Sequence, residues 1–146
     1  MRESALIVSK TLGEIAKVIK PGISTLELDK IAEECIRDHG AIPGFLGLYD
    51  FPNTLCMSPN EQVVHGIPNS QPLKEGDIIS VDCGALKNGF YGDHAFTFAV
   101  GEIAPETKKL LEVTKESLYV GIREFRAGQR VGDVGHAIQK FTEDHG

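Results

Sequence analysis

The segment SVDCGALKNGFYGDHAF (80–96) restricts the fold more than any other stretch of the chain. Asn88-Gly89 is a strong signal for a two-residue type I′ turn, so the flanking runs are predicted to form a β-hairpin from about Asp77 to Val100. The turn sets the register: Lys87 faces Phe90, Leu86 faces Tyr91, and Gly84 faces Asp93. Side chains two apart on a strand share a face. Asp82 therefore shares a face with Gly84, and so with Asp93. The two carboxylates become diagonal neighbours, with backbones roughly 7–8 Å apart. Gly84 lies between them without a side chain, and an open pocket is expected there. A turn one residue longer would put the aspartates on opposite faces.

Aspartate is a poor strand former and is rarely buried without a partner. Two carboxylates close together on a mostly apolar sheet repel. Either one takes up a proton or a cation sits between them. Hard divalent cations prefer oxygen ligands, and two metals about 3.5–4 Å apart are a recurring hydrolytic device. The residues alone leave three readings open: a metal site, a metal-free carboxyl dyad, or aspartates that cap a loop or pair with lysine at a sheet edge. His65, between Val-Val and Gly-Ile-Pro, is either an imidazole held at a strand end or a solvated surface residue. His94 is read as structural, on the opposite face from Asp93. Cys56 either lines a pocket or fills the core.

The rest of the chain suggests helices around this sheet. Leu6, Val8, Leu12, Ile15, Ala16 and Ile19 predict a helix over 4–19 with Ser4 as N-cap. A second helix is predicted from Ser24 or Thr25 to Asp38, with Leu28, Ile31, Ala32 and Cys35 inward and Gly40 closing it. Short strands are expected near 41–45, at 55–58 and possible within EQVVHGIP (61–68). Helices are predicted over 105–125, with Pro105 in the first turn, and over 132–144.

KPGISTLELDKIAEECIRDHG (20–40) aligns without a gap on RAGQRVGDVGHAIQKFTEDHG (126–146). Gly22 falls on Gly128 and Asp38-His39-Gly40 on Asp144-His145-Gly146, while Leu12 falls on Leu118 in the preceding helices. This reads as a pseudo-repeat of 1–100 and 101–146 with the second copy cut short.

Charge and cysteine usage exclude several classes. The net charge of −6, without a Lys/Arg block, argues against nucleic acid and anionic membranes as partners. Three cysteines at wide spacing, without CxxC, argue against a disulfide framework or thiolate zinc site. The short apolar run ALIV fits neither a signal peptide nor a membrane span, so a soluble intracellular protein is expected. No P-loop, no GxGxxG after a strand and no GxSxG elbow occurs.

Taken together, FPNTLCMSPNEQVVHGIP, GDIISVDCGALKNGFYGDHAFTFAVG and the helical segments resemble type I methionine aminopeptidases along nearly the whole chain. The resemblance implies an α+β, pita-bread fold: two pseudo-symmetric halves around a two-metal centre, of which residues 1–146 would be the first half and the opening helices of the second. It implies a cytoplasmic metallo-exopeptidase that removes the initiator methionine from nascent chains. Asp82 would be a bidentate metal ligand and Asp93 the bridging carboxylate. His65 would contact the substrate near the scissile peptide. Cys56, Phe45, Leu48 and Phe51 would line the methionine pocket. Leu48 departs from the tyrosine frequent in the family, and Gly84 from the threonine of some relatives.

The cofactors implied are two divalent ions, with Co, Mn, Fe and Zn all compatible. The family's remaining ligands, one histidine and two glutamates, lie in the second half. This chain alone is therefore expected to be inactive. The implied partners are peptides or nascent chains beginning with Met, with transient ribosome association and a monomeric state when complete. Two alternatives are a non-catalytic binding module of the same fold and a proline-specific metallopeptidase.

Overall fold

A computed structural model describes residues 1–146. The elements in chain order are α1 (Arg2–Val18), α2 (Thr25–Asp38), β1 (Ile42–Pro43), a 3₁₀ turn (Leu48–Asp50), β2 (Leu55–Pro59), β3 (Ile78–Lys87), β4 (Phe90–Ala99), α3 (Pro105–Glu124) and α4 (Val131–Glu143). The chain divides into two compact units, Met1–Ile103 and Ala104–Gly146. No helix is long and apolar enough to cross a membrane.

In the first unit β3 is the spine of an antiparallel sheet. β4 pairs along one edge of it over its full length. Along the other edge, Leu55–Pro59 pairs with Cys83–Ile79, and Ile42-Pro43 with Leu86-Ala85. Asn88 and Gly89 both take positive φ (52° and 78°), as a type I′ turn requires, and the hairpin register is the one the turn predicts. Alternation along β3 then separates two faces. Ile79, Val81, Cys83 and Ala85 are fully buried on one face, while Ser80 and Asp82 on the other are half-buried.

The buried face packs on α1 and α2 through Val8, Leu12, Ile15, Leu28, Ala32, Ile36, Leu55 and Met57. α2 begins where the sequence places it. The Ser24 hydroxyl accepts the Glu27 N–H, and the Glu27 carboxylate accepts the Ser24 N–H, forming a capping box. Gly40 closes the helix with φ of 64°.

α1 departs from the predicted pattern. Its N-cap is Met1, and Ser4 lies inside the helix, fully buried, its hydroxyl donating to the Phe90 carbonyl at 2.8 Å. The inward stripe is Ser4, Ile7, Val8, Thr11, Leu12 and Ile15, while Leu6 and Ala16 face solvent. The stripe admits small polar residues because α1 crosses β4 at Gly92, where a Cβ would meet the Ser4–Ala5 backbone at 2.5 Å. In α2, Ile36 is fully buried, whereas Ile31 and Cys35 are only half-buried.

Residues 61–68 do not form a strand. Within them Gly66 bonds to β2, and just beyond them Asn69 bonds to Thr25 and Leu26 at the start of α2.

In the second unit α3 and α4 form a helical hairpin that meets at Gly121, where a Cβ would lie 2.6 Å from Ile138 Cδ1. Gly22 and Gly128, aligned in the sequence, hold φ of 93° and 94° in the corresponding turns.

Asp29 ties α2 to the sheet. Its carboxylate is buried and accepts the Thr54 N–H (3.0 Å), the Leu55 N–H (2.8 Å) and the Asn53 side-chain amide (2.9 Å). Asp29→Ala strands two buried N–H groups, each costing about 1–3 kcal/mol. The expected outcome is a loss of about 2–5 kcal/mol, read as a lower urea midpoint with an unchanged m-value.

Candidate active site

The site is built on the sheet face opposite the helices. Register places Cys56 beside Asp82, Asp82 beside Ala95, and Gly84 beside Asp93. Asp82 and Asp93 are thus diagonal neighbours on one face. Ser80 and Thr97, one step along, share a hydroxyl–hydroxyl hydrogen bond of 2.8 Å.

The two carboxylates differ in environment. Asp93 is exposed and Asp82 half-buried. One Asp82 oxygen, Oδ1, is fully buried and has no hydrogen-bond partner. Burial pushes the Asp82 carboxyl above its ordinary range, the negative charge of Asp93 adds to the rise, and His65 acts in the opposite sense. An orphaned carboxylate oxygen beside a second carboxylate is unfavourable unless a proton or a cation offsets it. All-oxygen donors of this kind suit a hard divalent metal. No group of three or more histidine, cysteine, aspartate or glutamate side chains in the chain is arranged to hold a metal ion by itself. The residues present therefore fit part of a metal site.

Gly84 does not leave an open pocket. The Phe45 ring occupies the space above it, and a Cβ at Gly84 would lie 2.6 Å from Phe45 Cε1. Gly44 comes equally close, its N–H donating to the Gly84 carbonyl at 2.8 Å. The chain from β1 thus folds across the middle of β3, and glycine at both positions permits it.

Cys56 is buried, and its thiol is pushed up to about 11 by burial and then by the charges of Asp82 and Asp93. It stays protonated at neutral pH and presents a soft, apolar surface rather than a nucleophile. Leu48 and Phe51 lie further along the loop. Leu48 donates its N–H to the Phe45 carbonyl, and Phe51 to that of Leu48. Leu48 is 49% exposed and Phe51 half-buried. Tyr49, between them, has φ of 49° and is almost fully exposed.

His65 is exposed and holds φ of 60°, a left-handed conformation that costs a non-glycine residue about 1–3 kcal/mol. The structure brings Asp82, Asp93, Cys56 and Phe45 together, with His65 near enough to influence Asp82 electrostatically. His94, paired with Cys83, belongs to the opposite face, and His39 and His145 cap helix ends by bonding to the Cys35 and Phe141 carbonyls. The sequence reading missed Asp29. An aspartate within the apolar stripe of α2, next to Leu28, was the available signal.

The whole chain, residues 1–146, matches metallopeptidase family M24. Methionine aminopeptidase 1 of Bacillus subtilis is 54% identical over 144 residues, covering 99% of this chain and 58% of that protein. The chain thus spans a little over half the length of the curated relatives it matches. The crystal structure of methionine aminopeptidase from Thermotoga maritima superposes with a TM-score of 0.96 at 39% identity, covering 99% of this chain and 58% of that one. Xaa-Pro dipeptidase from Bacillus anthracis, at 22% identity and a TM-score of 0.84, shares the fold. The architecture is the α+β, pita-bread one.

Because its pKa is raised in the fold, Asp82 favours the folded state when protonated. That contribution is full below the ordinary carboxylate value of 3.8 and is lost as pH rises through the raised value. With metal chelated, Asp82→Asn is expected to melt above the parent at about pH 7, with the gap closing towards about pH 4. Thermal melts across that range check it.

Proposed function

The chain belongs to metallopeptidase family M24, and from that premise we propose that the whole protein is a methionine aminopeptidase. It would remove the N-terminal methionine from newly made chains. One observation carries the reading: Asp82 and Asp93 are diagonal on one sheet face, with Asp82 Oδ1 buried and unpartnered. The resemblance of the surrounding motifs supplies the substrate class.

Asp82 and Asp93 would hold divalent metal between them through their carboxylate oxygens. The chemistry a metal held there would supply is activation of water as a nucleophile and Lewis-acid polarisation of a peptide carbonyl. His65 would hydrogen-bond the substrate beside the scissile peptide and stabilise negative charge developing on its carbonyl oxygen. Phe45, Cys56, Leu48 and Phe51 would receive the methionine side chain. An aromatic ring and a protonated thiol suit a polarisable thioether and repel no part of it. Phe45 would also keep water from the Asp82 side of the site, which strengthens its electrostatics.

Two carboxylates hold a divalent ion weakly, since all-protein sites use more ligands. Further ligands, and the group that moves the proton, would come from the part of the relatives that this chain does not span. The metal pair would be drawn from Co, Mn, Fe and Zn according to availability. We further propose a cytoplasmic enzyme, consistent with three free thiols. Transient contact with the ribosome and a monomeric state belong to the same proposal. So does a shared origin of the α1–α2 and α3–α4 hairpins.

In the whole protein loaded with divalent metal, peptides with Met first and a small second residue are expected to be cleaved. Cleavage of peptides with Pro second, and not of these, would assign a proline-specific enzyme instead. Asp93→Ala is expected to abolish turnover and lower bound metal in elemental analysis. His65→Ala is expected to lower kcat by about 10²–10³-fold at unchanged metal content; loss of metal would make His65 a ligand.

A further inference from the structure

We propose that Ser58 is the positioning residue for His65, acting through the main chain of Gly66. The inference rests on the site reading just given. His65 is exposed on a left-handed backbone, φ 60°. Such a conformation persists where its surroundings over-determine it, and it is characteristic of functional positions.

Two clamps hold the turn that carries His65. At the near end, Asn60 (φ 53°) donates its N–H to the Ile78 carbonyl at 2.9 Å. Its side chain accepts the Ile78 N–H at 3.1 Å and donates to Asp77 at 2.9 Å. At the far end is Gly66, immediately after His65. Its carbonyl accepts the Met57 N–H at 2.8 Å, and its N–H donates to Ser58 Oγ at 3.0 Å. A Cβ on Gly66 would run into the Met57 carbonyl, so the approach requires glycine.

The Ser58 bond acts on the peptide unit joining His65 to Gly66, because the N–H it receives belongs to that unit. This hydrogen bond therefore sets the plane of the peptide directly after the His65 Cα. Ser58 is on the site face of β2, two residues after Cys56 and opposite Ser80, yet only 3% exposed. Its alternation along the strand aims the hydroxyl to the Asp82 side. Without the hydroxyl, the Gly66 N–H has no acceptor and the left-handed His65 loses the bond that orients its peptide.

The test uses the whole protein with Ser58→Ala, Ser58→Cys, His65→Ala and the Ser58→Ala/His65→Ala double variant. Cysteine keeps the shape of serine with a larger terminal atom that accepts hydrogen bonds weakly. Two readouts are taken: amide hydrogen exchange at Gly66, and kcat, KM and metal content with a Met-first peptide. Both Ser58 variants are expected to speed Gly66 exchange at least about tenfold and lower kcat by about tenfold, with KM and metal content unchanged. In the His65→Ala background, Ser58→Ala is expected to cost nothing further. Unchanged exchange, or losses that multiply in the double variant, would overturn the proposal. If the unmodified protein cleaves no Met-first peptide, the functional reading fails, and the Gly66 exchange alone upholds or overturns the positioning role.

Discussion

The pairing register of the β3–β4 hairpin is the constraint on which the site depends. Alternation has a period of two, so a one-residue slip would carry Asp82 into the helical interface and leave Val81 and Cys83 in water. Two independent forces hold the register. Asn88-Gly89 accepts the paired left-handed conformation of its turn without strain. Ile79, Val81, Cys83 and Ala85 are fully or almost fully buried against α1 and α2, which a slip would undo. The carboxylate pair exists because turn chemistry and hydrophobic burial select the same register.

Around that pair the chain concentrates arrangements that are locally unfavourable. Asp82 is half-buried, with one oxygen unpartnered. Phe45 covers Gly84, which lies between the two aspartates on the same face. His65 is left-handed without being glycine. These features are held by the rigid elements beneath. Asp29 pins the start of β2 to α2, and β2 in turn carries both Cys56 and Ser58. Such costs, gathered around one face of a well-packed sheet, fit the proposed roles of the carboxylate pair and His65.

Much of this was readable in the sequence where local chemistry and global packing agree. Ser24 and Glu27 announce the start of α2, Gly40 its end, and Pro105 the start of α3. The segment 61–68 was ambiguous for a physical reason. Val63 and Val64 have strand propensity, but His65 turns left-handed and Gly66 spends its main-chain bonds on Met57 and Ser58. Ser4 looked like a cap because serine favours that position. It is buried because Gly92, distant in sequence, makes room for it and the Phe90 carbonyl accepts its hydroxyl. Tertiary contact overrode propensity at both places.

By itself the sequence determined the hairpin register, and hence that Asp82 and Asp93 share a face. A two-residue turn and strict alternation are local properties that need no knowledge of the rest of the chain. Only the tertiary structure decided what fills the ground between them. The approach of Phe45 to Gly84 joins residues from separate elements, and so does the bond from Ser58 to Gly66. No periodicity encodes such contacts; they arise when the β1–β2 connection and the 60–68 turn fold back onto β2 and β3.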